Sequence, residues 1–303
     1  MRLSTYYSHQ IGINGILDQQ SRLSHTQEQL ASGKRVLKPS DDPISSATSL
    51  SLDKTVTRNE QFQKNITFAK NRLTIEEGVL ANASDILQRV RELAVRGVND
   101  SLGADSRAGI ANEIYELKEE MISLANTRDA SDNFLFGGFQ AKQIPFVEGP
   151  PGVFSYQGDQ GQRQVQIGDS RYVDIGDSGY DVFWRIPDSE TAPVNYQSVF
   201  QTIQDLADNM NSNTPDTADI EKIDLALNNI VEARARVGAR LNTIDRQENI
   251  NDNQIYESQV ALSDLRDLDY AEAISRMNIQ LTALEAAQQS YTRVQGLSLF
   301  NFL

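Results

Sequence analysis

The side chains that most often carry out chemistry are scarce in this 303-residue sequence. Cysteine is absent, and the two histidines, His9 and His25, lie sixteen positions apart near the start of the chain. The lack of cysteine excludes thiol nucleophiles, disulfide bonds and Cys-ligated zinc or iron–sulfur centres. Since sixteen residues is far from the spacing that places two ligating histidines on one helix face, both are interpreted as surface residues. A Ser-His-Asp triad, whose members meet only in space, stays open at this point.

Two other patterns are similar to ligand-binding loops but lack the spacing that such loops need. Gly33-Lys34 is not preceded by the glycine spacing of a phosphate-binding loop, and Arg35 stands where that loop needs Ser or Thr. The acidic turns at 158–161 and 176–179 do not form a twelve-residue calcium loop. We therefore predict no catalytic, cofactor-binding or metal-ligating residue, and no cofactor.

Charge and hydropathy limit the classes of partner. The formal net charge is −14, which argues against a nucleic-acid partner because phosphate neutralisation needs a basic face. The first seven residues lack the apolar core of a cleaved signal peptide, and no apolar run approaches the roughly 18 residues that cross a bilayer. The sequence thus predicts no membrane partner, and a protein that stays in the cytoplasm or leaves by a route without a classical signal.

Glycine and proline indicate how the chain is divided. Half of the 18 glycines fall between Gly137 and Gly179, and six of the eight prolines between Pro145 and Pro215. Because proline breaks helices, the two arms on either side can form long helices and the middle cannot. The predicted fold class is mainly α with an inserted β domain, in which both chain ends form a long antiparallel helical rod or coiled coil.

Three domains follow from these boundaries. Residues 1–43 with 262–303 are predicted to form a terminal coiled-coil assembly domain. Residues 44–136 with 216–261 are predicted to form a helical rod domain. Residues 137–215 are predicted to form a β-rich surface domain.

The arms carry a heptad pattern that predicts helices packed within one chain. Apolar residues recur at alternating steps of three and four, with Glu76 as one polar interruption, at Phe62, Ile66, Ala69, Leu73, Leu80, Ala83, Leu87, Val90 and Ala94. Such spacing lays a narrow stripe along one helix face, as bundle and coiled-coil helices require. In the centre, alternation predicts short strands at 154–157, 164–167 and 180–184, followed by a helix over about 198–210.

The two ends differ from the rod because glutamines dilute their apolar stripes. Residues 1–43 carry a net charge of +1 and residues 261–303 one of −2, so the ends can pack together at little electrostatic cost. Packing between chains and a hairpin of the two ends within one chain both stay open. The candidate self-assembly residues are Ile13, Ile16, Leu23, Leu30, Ile274, Met277, Leu281, Leu284 and Tyr291.

A local segment near the N-terminus predicts a joint between two helical layers. Gly33 can adopt the left-handed conformation that closes a helix, and Asp42 can cap the next helix with Pro43 at its first position. The extended stretch between them includes Pro39. Taken alone, this pattern is a helix–break–helix that many folds contain.

These residues carry a resemblance to the flagellin superfamily. The runs Gln27–Arg35 and Pro39–Pro43 resemble the N-terminal signature of flagellins and their junction relatives. At the other end, Asp269–Ala273 and Leu284–Tyr291 resemble the matching C-terminal segment. Met1–Thr5 with Asn133–Gly138 is similar to the hook–filament junction branch of the superfamily, which therefore becomes the main hypothesis.

The resemblance implies a fold and a set of partners. It implies that both termini form a coiled-coil inner layer, inside a helical rod and a variable β-rich surface domain. It implies a ring of copies that joins the hook, through the first junction protein, to the flagellin filament. It also implies export by the flagellar type III apparatus, with a chaperone on the C-terminal helix, and an extracellular location.

Three alternatives stay open beside the junction hypothesis. The first is a minor flagellin that forms the filament itself. The second is an enzyme domain in residues 137–215, although that block contains neither His nor Cys. The third is a cytoplasmic signalling bundle, which shares the heptads but predicts no export.

Overall fold

The computed structural model describes residues 2–150, 152–187 and 196–296. Residues 297–303 of the predicted terminal domain therefore lie outside the described residues. In those three ranges the chain forms six α-helices, namely α1 (Arg2–Ser32), α2 (Pro43–Gly97), α3 (Ala104–Ala125), α4 (Val199–Asn211), α5 (Thr217–Arg266) and α6 (Tyr270–Gly296). The strands are β1 (Phe146–Glu148), β2 (Phe154–Tyr156), β3 (Gln164–Gly168), β4 (Arg171–Asp174), β5 (Ile186–Pro187) and β6 (Tyr196–Gln197). The predicted fold class, mainly α with a small β region inserted in the middle, is confirmed.

Tertiary contacts divide the chain into two compact units. Unit 1 comprises Met1–Asn59 and Asn253–Leu303, and unit 2 comprises Glu60–Asp252. Helices α2 and α5 contribute residues to both units. The finer division into three domains stays a prediction.

Unit 2 contains the large apolar core. Every apolar residue of the stripe predicted on α2 between Phe62 and Ala94 is buried, and Glu76 is buried with them. Ile114 and Met121 of α3 and Ile230 of α5 join the same cluster. Burying a side chain of this size contributes about 1.5–3 kcal/mol, so a stripe of this length can hold the unit together.

Within its described residues, the inserted block contains three two-stranded antiparallel sheets. They pair β1 with β2, β3 with β4 and β5 with β6, and the strands predicted at 154–157 and 164–167 are confirmed as β2 and β3. The predicted helix near 198–210 is confirmed as α4, with the Ser198 hydroxyl accepting a hydrogen bond of 3.0 Å from the Gln201 amide.

The strand predicted at 180–184 is wrong, because Tyr180–Trp184 forms a single π-helical turn. The Arg185 amide donates to the Tyr180 carbonyl at 2.8 Å, five residues back. Adjacent Val182 and Phe183 are both buried, whereas a half-exposed strand buries every second residue. Phe183 packs edge-on against Phe136, with ring centroids 5.0 Å apart. Aromatic packing therefore overrides the local alternation.

In unit 1 the two chain ends pack against each other. Helices α1 and α6 run antiparallel, since Gln19 donates to the Gln280 carbonyl at 3.2 Å while the Tyr291 ring lies against Gly12. We call this pair of helices the terminal hairpin. Of the two alternatives for the chain ends, packing between chains or a hairpin within one chain, the hairpin is therefore present in this structure. The buried apolar residues of unit 1, among those described, are Leu23, Leu268 and Ala273.

Candidate assembly surface

The break between α1 and α2 is built from local hydrogen bonds. Gly33 has φ of +68° and its amide donates to the Gln29 carbonyl at 2.9 Å, which closes α1. Pro39 occupies the turn that the hydrogen bond from the Asp41 amide to the Lys38 carbonyl closes. At the start of α2, next to Pro43, Asp42 accepts a hydrogen bond of 3.0 Å from the Ser45 amide. These contacts set the local conformation of the four predicted joint residues, Gly33, Pro39, Asp42 and Pro43. The role of these residues as a joint between two helical layers stays a prediction.

The carboxylate of Asp42 is held in its charged form. Hydrogen bonds from Ser45, and after them the positive charge of Arg35, lower the pKa of Asp42 below its ordinary value. The Arg35 guanidinium approaches the same carboxylate at 3.4 Å. A charged Asp42 suits the N-terminus of α2, where the free amides and the helix dipole favour an anion.

A second break, between α5 and α6, lies directly beside the first. The Arg35 amide donates to the Arg266 carbonyl at 2.7 Å, and the Leu268 amide donates to the Gly33 carbonyl at 3.0 Å. Asp269 caps α6 by accepting a hydrogen bond of 2.9 Å from the Ala271 amide. This break was not predicted, although Asp269 followed three residues later by Glu272 is a helix-start signal.

At the paired breaks, a side chain at Gly33 would have to displace the Tyr270 hydroxyl. A Cβ atom there would lie 2.8 Å from the Tyr270 hydroxyl, in addition to the positive φ. Tyr270 is the first residue of α6, so this one contact ties the end of α1 to the start of the other hairpin helix.

The nine candidate self-assembly residues differ in how much of each side chain remains accessible. Leu23 is 8% exposed, so the single chain already buries it. Five are half-buried, namely Ile16, Leu30, Met277, Leu284 and Tyr291. Three are more exposed, namely Ile13, Ile274 and Leu281. The last group leaves the most surface for another molecule.

Further apolar side chains of the hairpin are exposed but are not among the nine candidates. They are Tyr6, Tyr7, Ile11, Leu17, Ile279 and Val294. Tyr6, Ile13 and Leu17 are separated by seven and four residues, a spacing that places them on one helix face. Because Ile13 is already a candidate, that spacing is the signal by which the sequence could have added Tyr6 and Leu17 to the same face of α1. Contiguous exposed apolar surface marks an interaction site.

The terminal hairpin carries no net formal charge. Its charged side chains are Arg2, Asp18, Arg22 and Glu28 on α1 and Glu272, Arg276, Glu285 and Arg293 on α6. The whole chain carries −14. The repulsion that such a charge produces between copies is therefore concentrated outside the hairpin.

Unit 2 contains a buried ionic cluster that the sequence analysis did not predict. Glu76, 1% exposed, accepts a hydrogen bond of 2.9 Å from the Asp177 amide, and Asp177 pairs with Arg240 at 2.8 Å. Arg72 pairs with Asp129 at 2.6 Å and donates to the Leu135 carbonyl at 3.0 Å. The cluster thus ties α2 to Asp177 of the inserted block and to the segment of Asp129 and Leu135 that follows α3.

Burial dominates the ionisation of Glu76 in this cluster. Desolvation, followed by the nearby negative charge of Asp177, raises the pKa of Glu76 to about 8. Perturbed groups of this kind occur at catalytic sites but also in structural networks. Here the polar contacts of Glu76 and Arg72 go to backbone groups and ion pairs of the fold, which indicates a structural role.

Within the described residues, neither a metal site nor a membrane span is found. No three His, Asp or Glu side chains there gather closely enough to hold a metal ion. His9 lies edge-on to the Tyr291 ring, 6.0 Å between centroids, and does not meet His25. None of the described helices is both long and apolar enough to cross a bilayer.

Comparison with known proteins identifies the helical arms. Residues 3–141 match the bacterial flagellin N-terminal helical region, and residues 220–303 match the bacterial flagellin C-terminal helical region. The chain is 30% identical to flagellar hook-associated protein 3 of Escherichia coli and 28% identical to that of Salmonella typhimurium. Each alignment covers 99% of both chains.

Solved structures share the fold. The crystal structure of flagellar hook associated protein-3 from Legionella pneumophila superposes with a TM-score of 0.67 at 21% identity. That match covers 71% of this chain and 98% of the Legionella chain. A second structure, FlgL from Xanthomonas campestris, gives a TM-score of 0.64 at 24% identity over 70% of this chain and 99% of its own.

Proposed function

The chain belongs to the family of flagellar hook-associated protein 3, and from that membership we propose that it is a structural adaptor of the bacterial flagellum. In this role a ring of copies joins the hook to the flagellin filament outside the cell. The relatives bear the names of flagellar components, which fits a role without enzymatic activity.

The observation that carries the proposal is the surface of the terminal hairpin. It exposes apolar side chains on both helices and has no net charge, so copies can pack side by side without strong repulsion. We propose that Ile13, Ile274 and Leu281 contribute most of this contact. The half-buried candidates pack within the hairpin, and their remaining exposed surface adds to the contact between copies.

The finer assignments are proposals that extend the same idea. Residues 1–43 with 262–303 serve assembly, the helical rod supports them, and residues 137–215 face outward. The partners are other copies, the first hook–filament junction protein and flagellin. An export chaperone holds α6, and the type III apparatus exports the chain.

A minor flagellin is the alternative with less support. The flagellin of Bacillus subtilis is 25% identical over 91% of this chain, against 30% over 99% for the hook-associated protein of Escherichia coli. The two roles differ in copy number. A junction subunit is present at about one turn of the helical lattice, whereas a flagellin is present along the whole filament.

Complementation of a strain that lacks the protein tests the proposal. Ile274→Glu places a charge on the exposed face of α6, and Tyr172→Glu makes the same change on an exposed strand of unit 2. We expect the first variant to be exported but to leave few attached filaments, with flagellin accumulating in the medium. Tyr172→Glu should restore normal filaments. Normal filaments with Ile274→Glu and with Ile13→Glu would contradict the proposed surface.

A further inference from the structure

Helix α1 contains the one Asn-Gly pair of the sequence, Asn14-Gly15, and both residues are exposed. A Cβ atom added at Gly15 would meet no other atom within 4 Å, so the space beside the pair is open. A glycine that follows an asparagine leaves its own backbone nitrogen unhindered, because glycine has no side chain. The pair therefore has the composition that makes an asparagine prone to lose its side-chain amide.

The loss of the amide needs no reactant except water. The Gly15 backbone nitrogen gives up its proton and attacks the side-chain carbonyl carbon of Asn14. The bond from that carbon to the amide nitrogen breaks, and the amide nitrogen takes up the proton and leaves as ammonia. Water then opens the resulting five-membered succinimide at either carbonyl, which gives aspartate or isoaspartate. Each product carries a new negative charge, and isoaspartate also inserts a methylene group into the backbone.

The helical conformation of α1 opposes this attack. Within α1 the Gly15 nitrogen belongs to the regular hydrogen-bonded backbone, where it cannot turn toward the side chain of the preceding residue. The reaction therefore proceeds from chains in which this part of α1 is open. Among the described residues of unit 1, the buried apolar ones are Leu23, Leu268 and Ala273, so opening has a low free-energy cost in the single chain.

We propose that Asn14 is a site of spontaneous deamidation in the free chain, and that neighbouring molecules that hold α1 in its helical form stop the reaction. Protection by neighbours rests on the role proposed above, whereas deamidation of the free chain does not. The residue at position 14 thus records how long a copy has remained unassembled.

The new charge arises on a face of α1 that is otherwise apolar. Tyr7, Ile11 and Leu17 lie seven residues before, three before and three after Asn14, a spacing that places all four on one side of the helix. The three apolar side chains are exposed. A carboxylate among them must lose water when another molecule covers this face, so a deamidated copy assembles less readily.

A matched variant separates the effect of structure from that of sequence. Ala108→Asn creates the same Asn-Gly-Ile run in α3 of unit 2, because Gly109 and Ile110 follow. Gly109 is exposed and, like Gly15, has open space where a Cβ would lie. Ile110 belongs to the large apolar core of unit 2, so opening this helix costs more free energy.

Mass spectrometry of the full-length variant, incubated at mildly alkaline pH, measures both sites in one protein. Trypsin cleaves after Arg2 and Arg22, and the peptide between them contains Asn14 as its one asparagine. We expect Asn14 to deamidate at least about tenfold faster than the asparagine introduced at position 108, because its helix opens more often. In urea, which unfolds both helices, the two rates should become nearly equal. Equal rates in the native protein, or a slower rate at Asn14, would overturn the proposal.

Copies isolated within intact flagella test the protection by neighbours. After the same incubation, residue 14 of these copies should remain asparagine, whereas the purified single chain is modified. Modification at the same rate in both would overturn the proposed protection. Flagella that contain no copy of the chain would instead contradict the role proposed above and leave the measurement on the free chain intact.

Discussion

Replacing Glu76 by Gln should stabilise unit 2 at neutral and alkaline pH and remove the pH dependence that this carboxyl group gives to its stability between pH 4.5 and about 8. The carboxyl group is buried, and its polar contact is the Asp177 amide, which donates to it at 2.9 Å. A glutamine side chain has the same shape and retains a carbonyl oxygen for that amide. The substitution therefore removes the ionisation and keeps the hydrogen bond.

The sign and size of the effect follow from the pKa of Glu76. Folding raises that pKa from an ordinary 4.5 to about 8, chiefly because burial disfavours the charged form. The stabilisation from the neutral carboxyl is complete below pH 4.5 and is lost as the pH rises through 8, because the unfolded chain ionises first. Between those limits the free energy of unfolding should fall by about 1.4 kcal/mol per pH unit.

Urea unfolding followed by tryptophan fluorescence can measure this change in unit 2 alone. Trp184 is the one tryptophan of the chain, and it lies in unit 2 against the core. The difference in unfolding free energy between pH 5 and pH 8 should be larger in the natural protein than in Glu76→Gln by several kcal/mol. Glu77→Gln is the matched control, because Glu77 is the next residue and forms an exposed ion pair with Arg234. Identical pH slopes in the natural protein and Glu76→Gln would refute the reasoning.

Two further substitutions test the paired breaks of unit 1. Gly33→Ala should destabilise the hairpin by about 1–3 kcal/mol, because alanine is strained at φ of +68° and its Cβ would lie too close to the Tyr270 hydroxyl. Amide hydrogen exchange in α1 should therefore accelerate about tenfold or more. The control Gly15→Ala should leave that exchange unchanged or slower. Asp269→Ala should lower the stability of the hairpin by about 1 kcal/mol, because it removes the N-terminal cap of α6. Asp269→Asn should keep most of that stability, because asparagine can also cap a helix. Exchange in the first turns of α6 reports the loss, and protection equal to that of the natural chain would contradict a capping role.

The helices were largely predictable because their signals are local. Proline and glycine placed the inserted block, and the heptad from Phe62 to Ala94 identified the face of α2 that is buried. The caps at Ser198 and Asp42 follow from the hydrogen bonds that short polar side chains offer to free amides. Each of these features depends on residues that are neighbours in the sequence.

What the sequence did not reveal depends on residues that meet only after folding. The π-helical turn at Tyr180–Trp184 exists because Phe183 packs on Phe136, forty-seven positions earlier, and alternation alone could not anticipate that contact. Likewise, the sequence shows Glu76 at a heptad position of α2. Its partner Asp177 is 101 residues away, so the sequence pattern could not identify that contact. Tyr6 and Leu17 are a different case, because their spacing from the candidate Ile13 is local and visible in the sequence, yet neither was predicted.

The contrast between the cores of the two units has a consequence for how the chain ends behave. Unit 2 buries a long apolar stripe, whereas the described residues of unit 1 bury only Leu23, Leu268 and Ala273. At about 25 cal/mol per Å² of apolar surface, three buried side chains offset little of the conformational entropy that ordering two long helices costs. The remaining stabilisation must come from apolar surface that the single chain leaves exposed. Any partner that covers Ile13 or Ile274 should therefore slow amide exchange throughout α1 and α6, whereas the exchange of unit 2 should stay the same.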